Sequence, residues 1–198
     1  DGLLQLRNAQ IDIFQVNLSM RDLTRDAMFD TNRLELTGHS ALGDGIMNFS
    51  GNMTWRNREP FGQLKISGEN LLVADVPEAR VHASPDLDFQ INGRRIDVTG
   101  RVLLPDVRLQ PADLTNAVLA SKDEVIVGAP AEDPALRWIV VSDIRVELGN
   151  QVHVDAFGLT GRLGGALNVR TDEFQVTRGQ GELGIVEGQY AAFGRRLD

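Results

Sequence analysis

Apolar and polar residues alternate along nearly the whole chain, from Gln5 almost to Gly194. Met47, Phe49, Met53 and Trp55 are interleaved with Asn48, Ser50, Asn52 and Thr54. Leu87, Phe89 and Ile91 are interleaved with Asp86, Asp88 and Gln90, and Ile144, Val146 and Leu148 with Asp143, Arg145 and Glu147. Successive side chains of a strand point to opposite faces, so a period of two predicts strands that are dry on one face and wet on the other. The same phase takes in Ile96, Val98, Val102, Val152, Val154, Leu163, Leu167, Val169, Leu183 and Ile185, and together these residues are the candidate lining of one apolar surface.

Turn signals punctuate the strands at Asn8, Gly43 to Gly45, Asn57 to Pro60, Ser67 to Asn70, Gly93, Gly149-Asn150, Gly164-Gly165, Thr171-Asp172 and Arg178 to Gly181. Punctuation this regular predicts an antiparallel meander. The segment Ser19 to Phe29 reads equally as a short edge strand or a helical turn, because Leu23, Ala27 and Met28 fit helical spacing while Leu18, Met20 and Asp22 continue the alternation. Residues 105–136 are predicted to be an irregular crossover and loop within a single domain spanning 1–198. Pro105, Pro111, Pro130 and Pro134 fall there, and proline lacks the amide that a central strand donates. Glu124 to Val127 reads as an edge strand, and Gly128 to Pro134 as the most mobile loop.

At 198 residues the chain is long enough to bury a core without a disulfide or metal staple. The hydrophobic share of 42% and the regular patterning argue for order. A net charge of -8 argues against a nucleic-acid partner, since that affinity comes from clustered Lys and Arg. Cysteine is absent, which removes thiol chemistry and leaves the redox compartment open. No apolar run approaches the roughly 18 to 20 residues that cross a bilayer as a helix. The chain opens on Asp1 and closes on Asp198 inside a strand pattern, and is expected to be a piece of a longer protein.

Candidate chemistry is sparse. Gly179 to Gly184 spells the dinucleotide fingerprint, but the fingerprint needs a helix N-terminus after its glycines, and a strand pattern follows instead. His39, His82 and His153 lie far apart without metal-ligand spacing and read as solvent-face residues. Asp86 with Asp88, and Glu132 with Asp133, offer paired carboxylates, yet the first pair lies on the wet phase and the second in the loop. No catalytic residue, metal site or cofactor is predicted. Glycines inside strands, such as Gly51, Gly100, Gly161 and Gly188, mark bends that curl the sheet or close packing between two sheets.

The second half carries an ordered set of motifs: Gly100 to Pro105, Leu119 to Val127, Leu148 to Val152, Phe157 to Gly165, and Gly188-Gln-Tyr190-Ala-Ala-Phe193-Gly194 followed by Leu197. Val76 to Val81 and Ala83 to Leu87 add weaker echoes in the first half. This set resembles the C-terminal region of the TamB family, AsmA-like components of the translocation and assembly module. The resemblance implies an all-β fold: a long, curved, mostly antiparallel sheet folded into a U-shaped groove, a β-taco, with an apolar concave face. It implies a periplasmic location, an inner-membrane anchor elsewhere in the parent protein, and a TamA-like outer-membrane barrel as partner. It further implies carriage of phospholipid or another amphipathic ligand between the two membranes, or shelter of unfolded outer-membrane strands and autotransporters. A closed sandwich without a ligand is the third reading that composition permits.

Overall fold

The structure, a computed structural model, describes residues 2–13, 18–111, 137–156, 158–192 and 195–197. Among these residues twelve strands form one sheet: β1 (Gly2–Ile13), β2 (Leu18–Asp30), β3 (Arg33–Leu42), β4 (Gly45–Arg56), β5 (Glu59–Gly68), β6 (Leu71–Val76), β7 (Ala79–Asn92), β8 (Arg95–Leu109), β9 (Ile139–Ala156), β10 (Leu159–Thr171), β11 (Thr177–Ala192) and β12 (Arg195–Leu197). They lie in the order β1-β2-β3-β4-β5-β7-β8-β9-β10-β11-β12, with β6 paired to β7 beside the end of β5. The fold is thus the all-β, mostly antiparallel sheet read from the alternation, open at both ends and not closed into a barrel. Ser19 to Phe29 resolves as strand, within β2.

Two-residue turns make most of the hairpins, and their backbone geometry explains their residues. Asn57 and Arg58 both take positive φ, 52° and 67°, the conformation that matches the right-handed twist of the strands they join. Gly43 and Gly93 supply the same left-handed geometry at φ 63° and 62° without a side chain to strain.

Several expected turns are continuous strand instead. Asn8 lies inside β1, Gly149-Asn150 inside β9, Gly164-Gly165 inside β10 and Arg178 to Gly181 inside β11. At the first three the ladder slips: between Leu6 and Ala9, between Leu148 and Gln151, and between Arg162 and Gly165. Glycine and asparagine therefore mark bulges within long strands as well as reversals between short ones.

Pro105 also departs from expectation, because β8 runs through it to Leu109 between two neighbours. The ladder to β9 slips between Leu104 and Asp106, so the missing amide falls where pairing is already interrupted. The β8–β9 pair is parallel, which breaks the expected meander once. A parallel pair needs a long crossover, and the stretch from Gln110 to Trp138 supplies its length. Glu124 to Val127, Gly128 to Pro134, Glu132 and Asp133 lie outside the described residues.

The densest packing sits where β6 meets the ends of β2, β3 and β4. Leu71 and Leu42 are buried there, with Met20, Met47, Leu72 and Val73 against them. Ser40, also buried, donates its hydroxyl to the Arg21 carbonyl at 2.9 Å. Replacing Leu71 by Ala is expected to remove about 2–5 kcal/mol of unfolding free energy in urea titrations. Replacing Leu183, which is 49% exposed, is expected to change it by less than about 1 kcal/mol.

Candidate functional site

Cross-strand registers decide which side chains share a face, since directly opposed residues of a ladder point the same way. One row runs Leu36, Gly51, Leu64, Phe89, Val98. The next runs Gly38, Phe49, Ile66, Leu87, Gly100, Ile144, Val169, Gly179. A third joins Met47, Gly68, and then Pro85, Val102, Val146, Leu167 and Gly181. Leu34, Met53, Gly62, Ile91 and Ile96 form a fourth, and Leu104, Leu148, Gly165 and Leu183 a fifth. Trp55 opposes Pro60 at one margin, and Leu163 opposes Ile185.

Beyond the slip at Pro105 the phase is restored. Val81 opposes Val107, Val107 opposes Val152, and Leu109 opposes Val154, which opposes Gly161. The register therefore puts all the sequence-identified lining residues on one face. Ala27, Leu34, Leu36, Leu64, Ile66, Leu104, Val107 and Leu109 belong to it as well and were missed. Their own period of two, visible at Leu34-Leu36 and Leu64-Ile66, is the signal that finds them.

The face is a single layer. Val98 and Val152 are buried, Trp55, Leu183 and Ile185 are exposed, and the other predicted lining residues are half-buried. Among the described residues no second sheet or helix lies across it. Glycine alternates with bulk along the rows: the Phe49 ring occupies the space that a side chain at Gly38 would need, and Gly100 sits between Leu87 and Ile144. Gly100 has φ 133°, and a Cβ there would run into the Asp86 carbonyl, so this close approach of strands admits no larger residue.

The opposite face is a lattice of charge pairs. The Lys65 ammonium lies 2.8 Å from Asp86 and 3.6 Å from Asp88, and Arg170 lies 2.9 Å from Asp143. The hydrogen bond to Lys65 holds the Asp86 carboxyl below its ordinary range and raises the Lys65 pKa in turn. Asp86 and Asp88 thus share a cation on the wet face, as their phase predicts. His39 and His153 are exposed on that face. His82 is not: its side chain is 13% exposed, and Nδ1 stands 3.9 Å from Asp106. Depressions of about 910 Å³ around Lys65, Asp86, Arg101 and Glu147, and of about 540 Å³ around Arg108, His153, Arg162 and Glu187, are lined largely by wet-face side chains. Among the described residues no group of three or more His, Asp or Glu is placed to hold a metal. Gly179 to Gly184 lies within β11, with no helix to follow it.

The turn between β10 and β11 has its own organiser. Asp172 Oδ1 accepts the amides of Phe174 and Val176 at 2.9 and 3.0 Å, and Oδ2 accepts Arg178 Nη1 at 2.9 Å. These bonds, the Val176 amide foremost, lower the Asp172 pKa.

The family model described as TamB C-terminal domain matches residues 36–198. The chain is similar to the TamB subunit of the translocation and assembly module of Haemophilus influenzae, 26% identical over 211 residues. That alignment covers 100% of this chain but 16% of the relative, so the chain corresponds to a small part of the relative's length. No solved structure gives a significant match. Among the described residues no helix is long and apolar enough to cross a membrane.

A carboxylate with a lowered folded-state pKa contributes order above its unfolded pKa of about 3.9 and loses that contribution as pH falls through the folded value. The protection of the Phe174 and Val176 amides against hydrogen exchange, relative to their intrinsic rates at each pH, should therefore hold from neutral pH down to about pH 4 and fall below it. Protection unchanged in stronger acid would show that Asp172 does not hold the turn.

Proposed function

The chain belongs to the TamB family, as part of its C-terminal domain, and on that premise we propose that its apolar face is a trough shielding phospholipid acyl chains in transit between the inner and outer membranes. In this reading the chain is a periplasmic piece of a protein anchored in the inner membrane, working with a TamA-like barrel in the outer membrane. The observation that carries it is the continuous apolar face of an open sheet, across which no second sheet or helix lies among the described residues.

Energetics give such a face a use. Each methylene kept from water is worth about 0.8 kcal/mol, so a lipid with about 30 methylenes meets an obstacle on the order of 20 kcal/mol in crossing an aqueous gap. Aliphatic side chains in file replace the water contact without offering a pocket for one defined ligand, and headgroups stay wet. No covalent step is needed, so the reading calls for no catalytic residue.

A second reading rests on the edge of β11. Among the described residues β12 pairs only with Tyr190, Ala191 and Ala192, which leaves most of β11 free on that side. A free edge accepts a further strand, and shelter of outer-membrane barrel strands would use it. Proline substitutions along residues 177–189 would weaken strand capture and leave lipid occupancy unchanged.

The decisive experiment places a photo-crosslinking residue at Phe49, at Val146 or at Arg145 of the wet face, followed by lipid mass spectrometry. Adducts are expected at the first two and not at the third. Adducts confined to Arg145, or none at any position, would end the trough reading.

A further inference from the structure

Irregularities in the ladders fall on one line. The β6–β7 ladder slips between Leu72 and Ala74, β7–β8 between Val81 and Ser84, β8–β9 between Leu104 and Asp106, and β9–β10 between Arg162 and Gly165. The β10–β11 ladder slips between Arg162 and Leu163, where Val186 is the extra residue. Neighbouring strands share these interruptions, so the line crosses six strands, from β6 to β11, at a single level. The β3–β4, β4–β5 and β5–β7 ladders run without a slip. Glycine keeps the strands close along the line: a Cβ at Gly149 would lie 2.8 Å from Pro105 Cα, and one at Gly164 would lie 2.9 Å from Val186 Cγ2.

A bulge bends its strand, and bulges in file bend a sheet. Burial gives the direction of the bend. Five apolar residues of β6 to β9 are buried, and four of them, Leu71, Ala83, Val107 and Val152, stand on the line or within two residues of it. Among the described residues no second layer covers them, so their cover comes from neighbours on the apolar face, drawn together by a fold towards that face. On the wet side of the same stretch Arg108, Gln151, His153 and Glu187 are exposed. The line is thus a crease between two limbs. The long limb runs to the rim that carries the β2–β3, β4–β5, β7–β8 and β10–β11 turns, and the short limb consists of β6 and the adjoining ends of β7 to β11.

We propose that the crease is the seat of an acyl chain, which lies across the strands with Leu104 and Leu148 on one side and Leu109 and Val154 on the other. Five strand spacings make the crease about 24 Å long, close to the length of one extended acyl chain of a membrane phospholipid. On a flat face a methylene meets apolar side chains on one side only, whereas in the angle between two limbs it meets them on two. Hydrophobic stabilisation grows with the apolar area removed from water, so the crease outcompetes the open wall. The inference rests on the trough reading and adds to it a position and an orientation for the lipid.

A photo-crosslinking residue carried in turn at Leu104, Val154 and Ile91 tests the seat, with the full chain incubated with dioleoylphosphatidylcholine vesicles and adducts read by mass spectrometry. Yield should be severalfold higher at Leu104 and Val154 than at Ile91, which lies beside the far rim. L109Q combined with V154T should lower bound lipid roughly fivefold, and I91Q less than about twofold; circular dichroism checks folding. Yields equal at the three positions or highest at Ile91, or a loss of lipid as large with I91Q as with the paired variant, would overturn the proposal. Adducts at Phe49 and Val146 beside such a result would leave the trough standing, so the two can fail separately.

Discussion

Among the described residues most of this single layer of strands is left uncovered on both faces, and the chain meets that constraint by keeping one phase of its alternation apolar from β2 to β11. The phase must survive every hairpin and every irregularity, because a slip of one residue would move a strand's apolar set to the wet side. At Pro105 the constraint is visible. Leu104 and Val107 are three residues apart, an odd spacing that would put them on opposite faces of a regular strand, yet both stand on the apolar one. The ladder slips that isolate the proline also reset the phase, so that Val107 meets Val81 and Val152. A bulge here preserves the face.

The stability of such a layer has an uneven distribution. Leu42 and Leu71 form a small buried core where β6 folds against the ends of β2, β3 and β4. Elsewhere a few apolar side chains such as Leu34, Val98, Val107 and Val152 are buried, most others are half-buried, and they stabilise one another sideways through cross-strand neighbours, with contributions of roughly 0.2–1 kcal/mol each. The wet face adds exposed ion pairs, and a pair such as Lys65 with Asp86 mainly keeps that face soluble and its register defined. Towards β11 even the lateral cover thins, and Leu183, Ile185 and Val186 are exposed. The sheet is thus anchored near β6 and loosest at its far end, where unpaired backbone is also found.

Much of this was legible because it is periodic. Alternation identified the strands and the shared face, and the wet-phase placement of Asp86 and Asp88 followed from the same count. What was not legible depends on long-range pairing. Nothing local tells Gly149-Asn150 or Gly164-Gly165, which sit in bulges, from Gly43-Asp44, which reverses the chain. Only the neighbouring strands make that distinction. The parallel pairing of β8 with β9 and the tolerance of Pro105 in a central strand are likewise set by partners far away in sequence. Ser19 to Phe29, ambiguous alone, is fixed as strand by ladders on both sides. His82 illustrates the same limit: its phase is wet, but burial beside Asp106 comes from packing.

The face and the rim make different demands on a side chain. A residue in a row of the face must fit laterally between neighbours 4.7–4.9 Å away in the ladder direction, a spacing that favours aliphatic groups alternating with glycine. A residue at the rim has no neighbour on its outer side, so bulk and aromaticity are free to project there. Phe49 fits within the face because Gly38 opposes it, whereas Trp138 and Phe174 project beyond the strand ends. A strand pattern of period two supplies a continuous dry surface along the sheet, and the turns that end those strands supply exposed aromatic side chains at its margin.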